Sequence, residues 1–279
     1  MKALVVEGGA MRSIYSAGLL DGFIQHQFNP FDFYIGVSAG AYNLATYISG
    51  SPRKSLFAFK NFALNRKFIS LSRFLLGGHL LDLDWLGEMA FSESLIDIDS
   101  VYKQDKAFYV CLTNIITGNP VYIKTNSQNL KSVVKASTAL PLLYRNFPLI
   151  NGQAMTDGGV ADSIPVAEAI RMGASQIMVV RARHRLYLKK DTLGHRFVRW
   201  KMKHYPDLVS TMSNRVNIHK GTIELIRNPP PGINIQEVCP PCSFTMGRFS
   251  QNSDQLLTGY QSGFESAEET IRVWGSRMQ

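Results

Sequence analysis

The stretch FYIGVSAGAY, residues 33–42, places a serine between two glycines where one apolar run gives way to another. The run before the serine is typical of a buried strand, and residues 39–50 are typical of a helix. Ser38 therefore lies on a predicted strand-to-helix turn, with Gly36 and Gly40 two places away on either side. This is the context of a nucleophile elbow, in which small residues let the strand and helix approach closely.

The segments around this turn predict the class of fold. Residues 3–9 (ALVVEGG) indicate a buried strand, residues 13–24 a helix, and residues 31–37 a second strand. Strand and helix alternate from the start of the chain, and that alternation predicts an α/β protein with a mostly parallel sheet. Residues 106–125 indicate two strands of a hairpin, and residues 174–182 another buried strand.

A second loop between a strand and a helix, EGGAMRS, could supply hydrogen-bond donors to an oxyanion. Its consecutive glycines, Gly8 and Gly9, leave backbone amides accessible, and the following helix N-terminus adds positive potential. The amide of Ala39, at the start of the helix after Ser38, is a further donor. For this loop alone, a plain turn or a phosphate site is an equal alternative. The dinucleotide-binding fingerprint is not met, because Ala10 and Ser13 stand at two of its glycine positions.

A serine nucleophile needs a base, and the sequence favours a carboxylate over a histidine. Of the six histidines, none follows a predicted strand in a glycine-containing turn, and four lie in the basic region after residue 183. Asp157, by contrast, is followed by Gly158 and Gly159 and then by a predicted helix. A buried carboxylate with a raised pKa can accept a serine proton without an imidazole. Taken alone, Asp-Gly-Gly is more often an ordinary turn.

Composition and charge narrow the classes of protein. The 279 residues are 45% hydrophobic and 18% charged, which is ordinary for a globular protein. No apolar run reaches the roughly 18 residues of a membrane span, no signal peptide is recognisable, and three cysteines suit a reducing compartment. We expect a cytoplasmic protein that could also rest on a membrane surface. The net charge of +9 favours anionic partners.

Two further segments have competing interpretations. The basic, aromatic region 181–205 is either a solvated helix face or a surface that attracts an anionic membrane. Nucleic acid is a weaker alternative for this region, and we expect no nucleic-acid partner. Cys239 and Cys242 have C-x-x-C spacing, but the two prolines between them and the lack of a second pair argue against zinc. We expect no metal and no cofactor.

In combination, these motifs resemble the patatin-like phospholipase family. The early glycine loop with Arg12, the Gly-x-Ser-x-Gly around Ser38, and Asp157-Gly158-Gly159 occur in that family's order, and KASTALP (135–141) is similar to another of its signatures. The likeness covers residues 3–182. It implies a three-layer α/β/α fold in a single domain, 1–279, with a helical insertion at about 53–105 and a C-terminal extension at about 183–279.

The resemblance also implies an activity and a role for each motif residue. The family hydrolyses acyl esters of lipids with a Ser-Asp dyad, so Ser38 corresponds to the nucleophile and Asp157 to the general base. The implied oxyanion hole comprises Gly8, Gly9, Ala10, Met11 and Ala39. The chain departs from the family at Ala10 and Ser13, where glycine is usual. An alanine at position 10 keeps the hole if the loop needs no positive φ there.

Three functions follow as hypotheses. The first is a serine acyl hydrolase of the phospholipase A or lysophospholipase type, with a lipid ester as substrate. The second is a non-catalytic lipid- or phosphate-binding module on the same scaffold, to which the departures at Ala10 and Ser13 point. The third is an esterase with a Ser-His-Asp triad, which would need one of the six histidines beside Ser38.

Overall fold

The structure, a computed structural model, describes residues 1–92 and 95–277. Residues 93–94 of the predicted insertion and residues 278–279 of the predicted C-terminal extension lie outside the described residues. Within the described residues, eight strands form one sheet. The strands are β1 (Lys2–Val6), β2 (Phe33–Val37), β3 (Ala107–Asn114), β4 (Pro120–Lys124), β5 (Leu149–Ile150), β6 (Gln153–Asp157), β7 (Gln176–Val180) and β8 (Asn234–Val238).

The sheet has a parallel centre and antiparallel additions at one side. Its strand order is β5-β6-β3-β2-β1-β7-β8, with β4 paired to β3 outside this path. Strands β3, β2, β1, β7 and β8 run parallel to one another, whereas β4 and β6 pair with β3, and β5 with β6, in antiparallel fashion. The predicted mostly parallel sheet and the predicted hairpin of β3 and β4 are therefore confirmed.

Helices cover both faces of the sheet. They are α1 (Ile14–Gln25), α2 (Ala39–Ile48), α3 (Lys54–Ala58), α4 (Leu71–Leu75), α5 (Leu83–Ala90), α6 (Ile98–Tyr102), α7 (Leu130–Thr138), α8 (Val166–Arg171), α9 (Leu193–Lys201), α10 (Pro206–Arg227) and α11 (Ser253–Arg277). None of the helices in the described ranges is both long and apolar enough to cross a membrane.

Alternating side chains of β1 explain the three layers. Leu4 and Val6 belong to one apolar cluster, formed with residues of α1, α2 and α7. Ala3 and Val5 belong to a second, formed with residues of α8 and α10. Successive side chains of a strand point to opposite faces, so β1 is buried on both. This arrangement is the expected α/β/α fold.

The C-terminal helix α11 lies against α1 at backbone distance. A Cβ added to Gly18 would lie 2.0 Å from the Tyr260 carbonyl oxygen, and one added to Gly263 would lie 2.0 Å from the Tyr15 carbonyl oxygen. Only glycine permits such a close approach. Helix α1 begins directly after the glycine loop. Packing of α11 against α1 therefore stabilises the helix that follows this loop.

Candidate active site

The register of β3 brings Ser38 and Asp157 together, although they are 119 residues apart in the chain. Strand β2 ends at Val37, which pairs with Cys111 of β3. Strand β6 ends at Asp157, which pairs with the next β3 residue, Leu112. Because β4 occupies the other edge of β3, β2 and β6 meet end to end along the same edge. The residue after β2 therefore lies beside the last residue of β6.

The two side chains are hydrogen-bonded to each other. The Ser38 hydroxyl donates to Asp157 Oδ2 at 3.0 Å, and the Gly159 amide donates to Asp157 Oδ1 at 2.7 Å. Only 4% of Asp157 is exposed, and this burial raises its pKa. The Gly159 amide, the charge of Arg248, the Ser38 hydroxyl and the charge of Arg215 act in the opposite direction. The arrangement is that of a serine next to a carboxylate with increased basicity.

Ser38 has the strained backbone of an elbow. Its φ of 53° and ψ of −129° lie where non-glycine residues are uncommon. Two hydrogen bonds hold this conformation: the Ser38 amide donates to Ser137 Oγ at 2.8 Å, and the Ser137 hydroxyl donates to the Cys111 carbonyl at 2.6 Å. Ser137 is fully buried in α7. It links the turn at Ser38 to the central strand β3.

Close packing accounts for the glycines of the motifs. An added Cβ would lie 2.5 Å from Ala41 Cα at Gly36, 2.7 Å from the Val6 carbonyl oxygen at Gly40, and 2.1 Å from the Cys111 carbonyl oxygen at Gly158. Each distance is below any real Cβ contact, so these positions require glycine. The predicted motif glycines therefore bring α2, β1 and β3 together around Ser38.

The glycine loop packs against the elbow. A Cβ on Gly8 would lie 2.9 Å from Ser38 Cβ, and one on Gly9 would lie 2.6 Å from Ala182 Cβ. The amides of Gly8, Gly9 and Ala10 donate to no acceptor within the described part of the chain, and neither does the Ala39 amide. These N–H groups are free to bind an anion.

Two residues of this loop differ from expectation. The prediction that Met11 contributes a donor to the hole is wrong, because the Met11 amide already donates to the Arg248 carbonyl at 3.2 Å. Ala10 adopts a φ of 50°, in the left-handed region that favours glycine. The loop therefore does need a positive φ at position 10, and it keeps that shape with alanine at a cost of roughly 1–2 kcal/mol.

The side chain of Arg12 stabilises the glycine loop. It is 6% exposed, and its Nε donates to the Gly9 carbonyl at 3.3 Å. Burial, together with the positive charges of Arg248 and Arg183, lowers the pKa of Arg12 to about 10. This hydrogen bond to the Gly9 carbonyl fixes the orientation of the peptide group between Gly9 and Ala10.

An apolar cavity opens beside Ser38. It contains about 880 Å³ of empty space when the solvent at its open mouth is included. Ser38, Ala39 and Ala10 are among its lining residues. The helical insertion supplies most of the rest, including Phe59, Phe68, Leu81, Leu83, Leu86 and Phe91. The predicted insertion thus contributes side chains to an apolar cluster and also forms a wall of the site.

Several residues of the site were not predicted from the sequence as functional. Ser137 lies in the KASTALP segment but received no role. Arg181 lies at the end of the predicted buried strand 174–182 and begins the basic region 181–205, for which a solvated face or a membrane-facing surface was expected; it is fully buried and pairs with Glu237 at 2.7 Å and Glu7 at 3.7 Å. The sequence signal for the burial of Arg181 was its position directly after the apolar strand β7. No histidine of the described residues is hydrogen-bonded to Ser38, where the triad hypothesis requires one.

Comparisons with known proteins agree with the fold and the motifs. The family model described as "Patatin-like phospholipase" matches residues 4–170, so the chain belongs to the patatin-like phospholipase family. At the level of the family this implies a phospholipase-type hydrolase acting on lipids. A second family model, "Domain of unknown function (DUF6363)", matches residues 205–279.

Two similar proteins give further context. The uncharacterized protein YjjU of Escherichia coli (strain K12) is 35% identical over 243 residues, which is 86% of this chain and 68% of YjjU. The crystal structure of VipD from Legionella pneumophila is similar with a TM-score of 0.48 and 14% identity. That likeness covers 98% of this chain and 67% of VipD.

Proposed function

We propose that this protein is a serine acyl hydrolase that cleaves carboxylic esters of phospholipids or lysophospholipids with a dyad of Ser38 and Asp157. The observation that carries the proposal is the 3.0 Å hydrogen bond from the Ser38 hydroxyl to a buried Asp157 carboxylate. Membership of the patatin-like phospholipase family supports it. Free amides on the adjacent glycine loop supply the remaining element of acyl transfer.

The first half of the reaction acylates the serine. Asp157 Oδ2 takes the hydroxyl proton as Ser38 Oγ attacks the ester carbonyl carbon. The carbonyl oxygen becomes an oxyanion, which the amides of Gly8, Gly9, Ala10 and Ala39 stabilise. The intermediate then collapses: the bond to the alcohol oxygen breaks, and the alcohol leaves with the proton from Asp157. The fatty acyl group remains on Ser38.

The second half releases the fatty acid. A water molecule gives a proton to Asp157 while its oxygen attacks the acyl carbon, and the same amides bind the second oxyanion. Collapse breaks the bond to Ser38 Oγ, which recovers the proton from Asp157. Both steps need Asp157 ionised before each attack and protonated before each collapse. Burial, which raises its pKa, brings these two states closer in energy.

The apolar cavity fits the acyl chain of the substrate. Its walls are almost entirely hydrocarbon, and Ser38 is one of the lining residues. Gly87 of α5 also lines the cavity, and a Cβ added there would meet no atom within 4 Å. We therefore expect a large side chain at position 87 to be tolerated and to shorten the cavity. Chain length of the bound acyl group should follow the length of this cavity.

Release of fatty acid from lysophospholipids of increasing chain length tests the proposal. Wild-type protein should release fatty acid, and Ser38→Ala should abolish release with an unchanged circular dichroism spectrum. Gly87→Phe should shift the preference to shorter chains. Gly221→Phe is the matched control, since Gly221 is an exposed position in α10 that is also free of neighbours. Turnover by Ser38→Ala equal to that of wild type contradicts the proposal, and absence of turnover in every form favours a non-catalytic binding module.

A further inference from the structure

Helix α9 carries an apolar face that is exposed to solvent. Leu193, Phe197 and Trp200 follow one another at intervals of four and three residues, so they lie on the same side of the helix. Their exposed fractions are 80%, 54% and 59%. None of the three belongs to an apolar cluster of the described residues. These three side chains are here called the α9 face.

The opposite side of α9 attaches the helix to the protein. Val198, and Met202 just beyond the end of the helix, belong to an apolar cluster together with residues of α10. The same cluster contains Val160, which lies three residues after Asp157. The helix is therefore packed beside the segment that carries the proposed general base, while the α9 face is turned to solvent.

Positive side chains lie along both borders of the α9 face. In a helix of 3.6 residues per turn, Arg196 lies on one side of this face and Lys201 on the other. Lys201 Nζ is 4.6 Å from the centre of the Trp200 ring and 5.8 Å from that of Phe197. Arg196 and Lys201 are exposed, and neither forms an ion pair with a described residue. The face is thus apolar at its centre and cationic at its borders.

The surroundings of α9 leave its positive charge unbalanced. Residues 189–203 contain six lysines and arginines and one acidic residue, Asp191. Asp191 already accepts two hydrogen bonds from Arg199 at 2.9 Å. A second copy of this chain would bring the same positive charges against the face, and like charges across an interface are unfavourable. The partner that complements α9 is therefore negative and has an apolar layer.

We infer that the α9 face binds the surface of an anionic lipid bilayer. Its apolar side chains insert between the lipid headgroups, and the cations at its borders contact the lipid phosphates. A helix with basic borders and with Leu, Phe and Trp at its centre is suited to lie in the plane of such an interface. Nucleic acid supplies the negative charge but offers no apolar layer for Leu193. This interaction goes beyond the proposed function, because a bilayer can be bound whether or not Ser38 reacts.

Vesicles of ether-linked lipids test this binding without hydrolysis, since they contain no carboxylic ester. Wild-type protein should sediment with vesicles of phosphatidylcholine and phosphatidylglycerol, and at least tenfold more weakly with phosphatidylcholine alone. On the anionic vesicles, Trp200→Ser should weaken binding at least tenfold and Phe197→Ser at least threefold. Phe57→Ser is the matched control, because Phe57 of α3 is a phenylalanine of similar exposure, 49%. It should bind like wild type.

The charges are tested in the same assay. Arg196→Gln combined with Lys201→Gln should weaken binding to the anionic vesicles at least tenfold, because each cation near such a surface contributes to the attraction. The urea midpoints of all these variants should equal that of wild type, since the substituted side chains are exposed or half-buried. If Phe57→Ser weakens binding as much as Phe197→Ser does, the contact is not specific to α9 and the proposal is overturned.

The fluorescence of Trp200 gives a second readout, local to the α9 face. The other two tryptophans are partly buried (Trp85) and buried (Trp274). Anionic vesicles with bromine-labelled acyl chains should quench the emission of wild-type protein and shift it to shorter wavelength. Trp200→Phe keeps an apolar side chain and should still sediment with the vesicles, but it should show neither change. Quenching that persists in Trp200→Phe places the bilayer contact elsewhere and overturns the proposal.

Other partners for the face give different results. If the paired Arg196 and Lys201 substitutions weaken vesicle binding but Trp200→Ser does not, the surface is purely electrostatic, as nucleic acid would require, and the proposal is overturned. Absence of binding by wild-type protein to the anionic vesicles also overturns it. In that case, a dimer in sedimentation velocity that Trp200→Ser dissociates would assign the face to a second copy of the chain.

The vesicle assays are independent of the proposed hydrolase. Cleavage of a short soluble ester by wild-type protein, without binding to anionic vesicles, overturns the docking surface and leaves the hydrolase intact. Vesicle binding that is lost in Trp200→Ser, in a protein that cleaves no ester, supports the docking surface and contradicts the proposed function.

Discussion

Replacing Ser137 by alanine tests how the strained elbow is held. The Ser137 hydroxyl accepts the Ser38 amide at 2.8 Å and donates to the Cys111 carbonyl at 2.6 Å. The residue is fully buried, so water cannot replace it. Leaving a buried N–H unpaired costs about 1–3 kcal/mol. We expect the free energy of unfolding of Ser137→Ala to fall by about that amount.

Activity should fall as well, for a separate reason. The φ of 53° at Ser38 is a conformation that costs about 1–3 kcal/mol and persists only when its surroundings enforce it. Without the Ser137 hydroxyl, the elbow can relax and move Ser38 Oγ away from Asp157. We expect at least a tenfold loss of kcat on a short p-nitrophenyl ester.

Urea unfolding and ester turnover measure the two effects. Ser132→Ala is the matched control, because Ser132 lies in the same helix, is exposed, and its hydroxyl donates only to the Asn129 carbonyl. It should change neither quantity appreciably. If Ser137→Ala matches Ser132→Ala in urea midpoint and in turnover, the elbow does not depend on Ser137 and the reasoning is refuted.

Three further predictions concern the same site. Gly8→Ala places a Cβ 2.9 Å from Ser38 Cβ, so ester turnover should fall at least tenfold. Asp157→Asn should abolish turnover yet leave the protein at least as stable at pH 8, because the raised pKa of this buried acid means that its stabilising contribution is lost as the pH rises through that pKa. Glu237→Gln removes the negative charge that pairs with the buried Arg181 at 2.7 Å and should lower the free energy of unfolding by about 3–5 kcal/mol.

Each of these has a control or a contrary result. Gly221→Ala adds a Cβ that meets no atom within 4 Å, and it should retain full turnover. Wild-type kcat/KM should fall on acidification through the Asp157 pKa, above the usual aspartate range. A stability of Asp157→Asn far below wild type at pH 8 contradicts the assigned direction of the pKa. A urea midpoint unchanged by Glu237→Gln contradicts the importance of the buried ion pair.

Local patterns were enough to predict the sheet and the elbow. Residues 33–42 combine a β-type apolar run, a serine between glycines and a helical run, and each signal is contained in a few residues. The contact between Ser38 and Asp157 is different, because it depends on the pairing of β2 and β6 with adjacent residues of β3. Motif spacing indicates the two residues but does not give that register.

The remaining features depend on tertiary packing. Ala10 adopts a positive φ, which the residue type alone would lead one to expect only of glycine. The Met11 amide donates to the carbonyl of Arg248, which lies 237 positions later in the chain. The basic residues after position 180 resemble a solvated face in sequence, because charge does not reveal burial. The burial of Arg215, in contrast to that of the predicted buried strand 174–182, becomes visible only in the packed structure.

Labelling with a fluorophosphonate probe, followed by mass spectrometric mapping of the modified peptide, tests the central claim most directly. We predict one adduct per chain, on Ser38, absent in Ser38→Ala and formed at least a hundredfold more slowly in Asp157→Asn. An unlabelled wild-type protein, an adduct on a different residue, or a wild-type labelling rate in Asp157→Asn would contradict the Ser-Asp dyad.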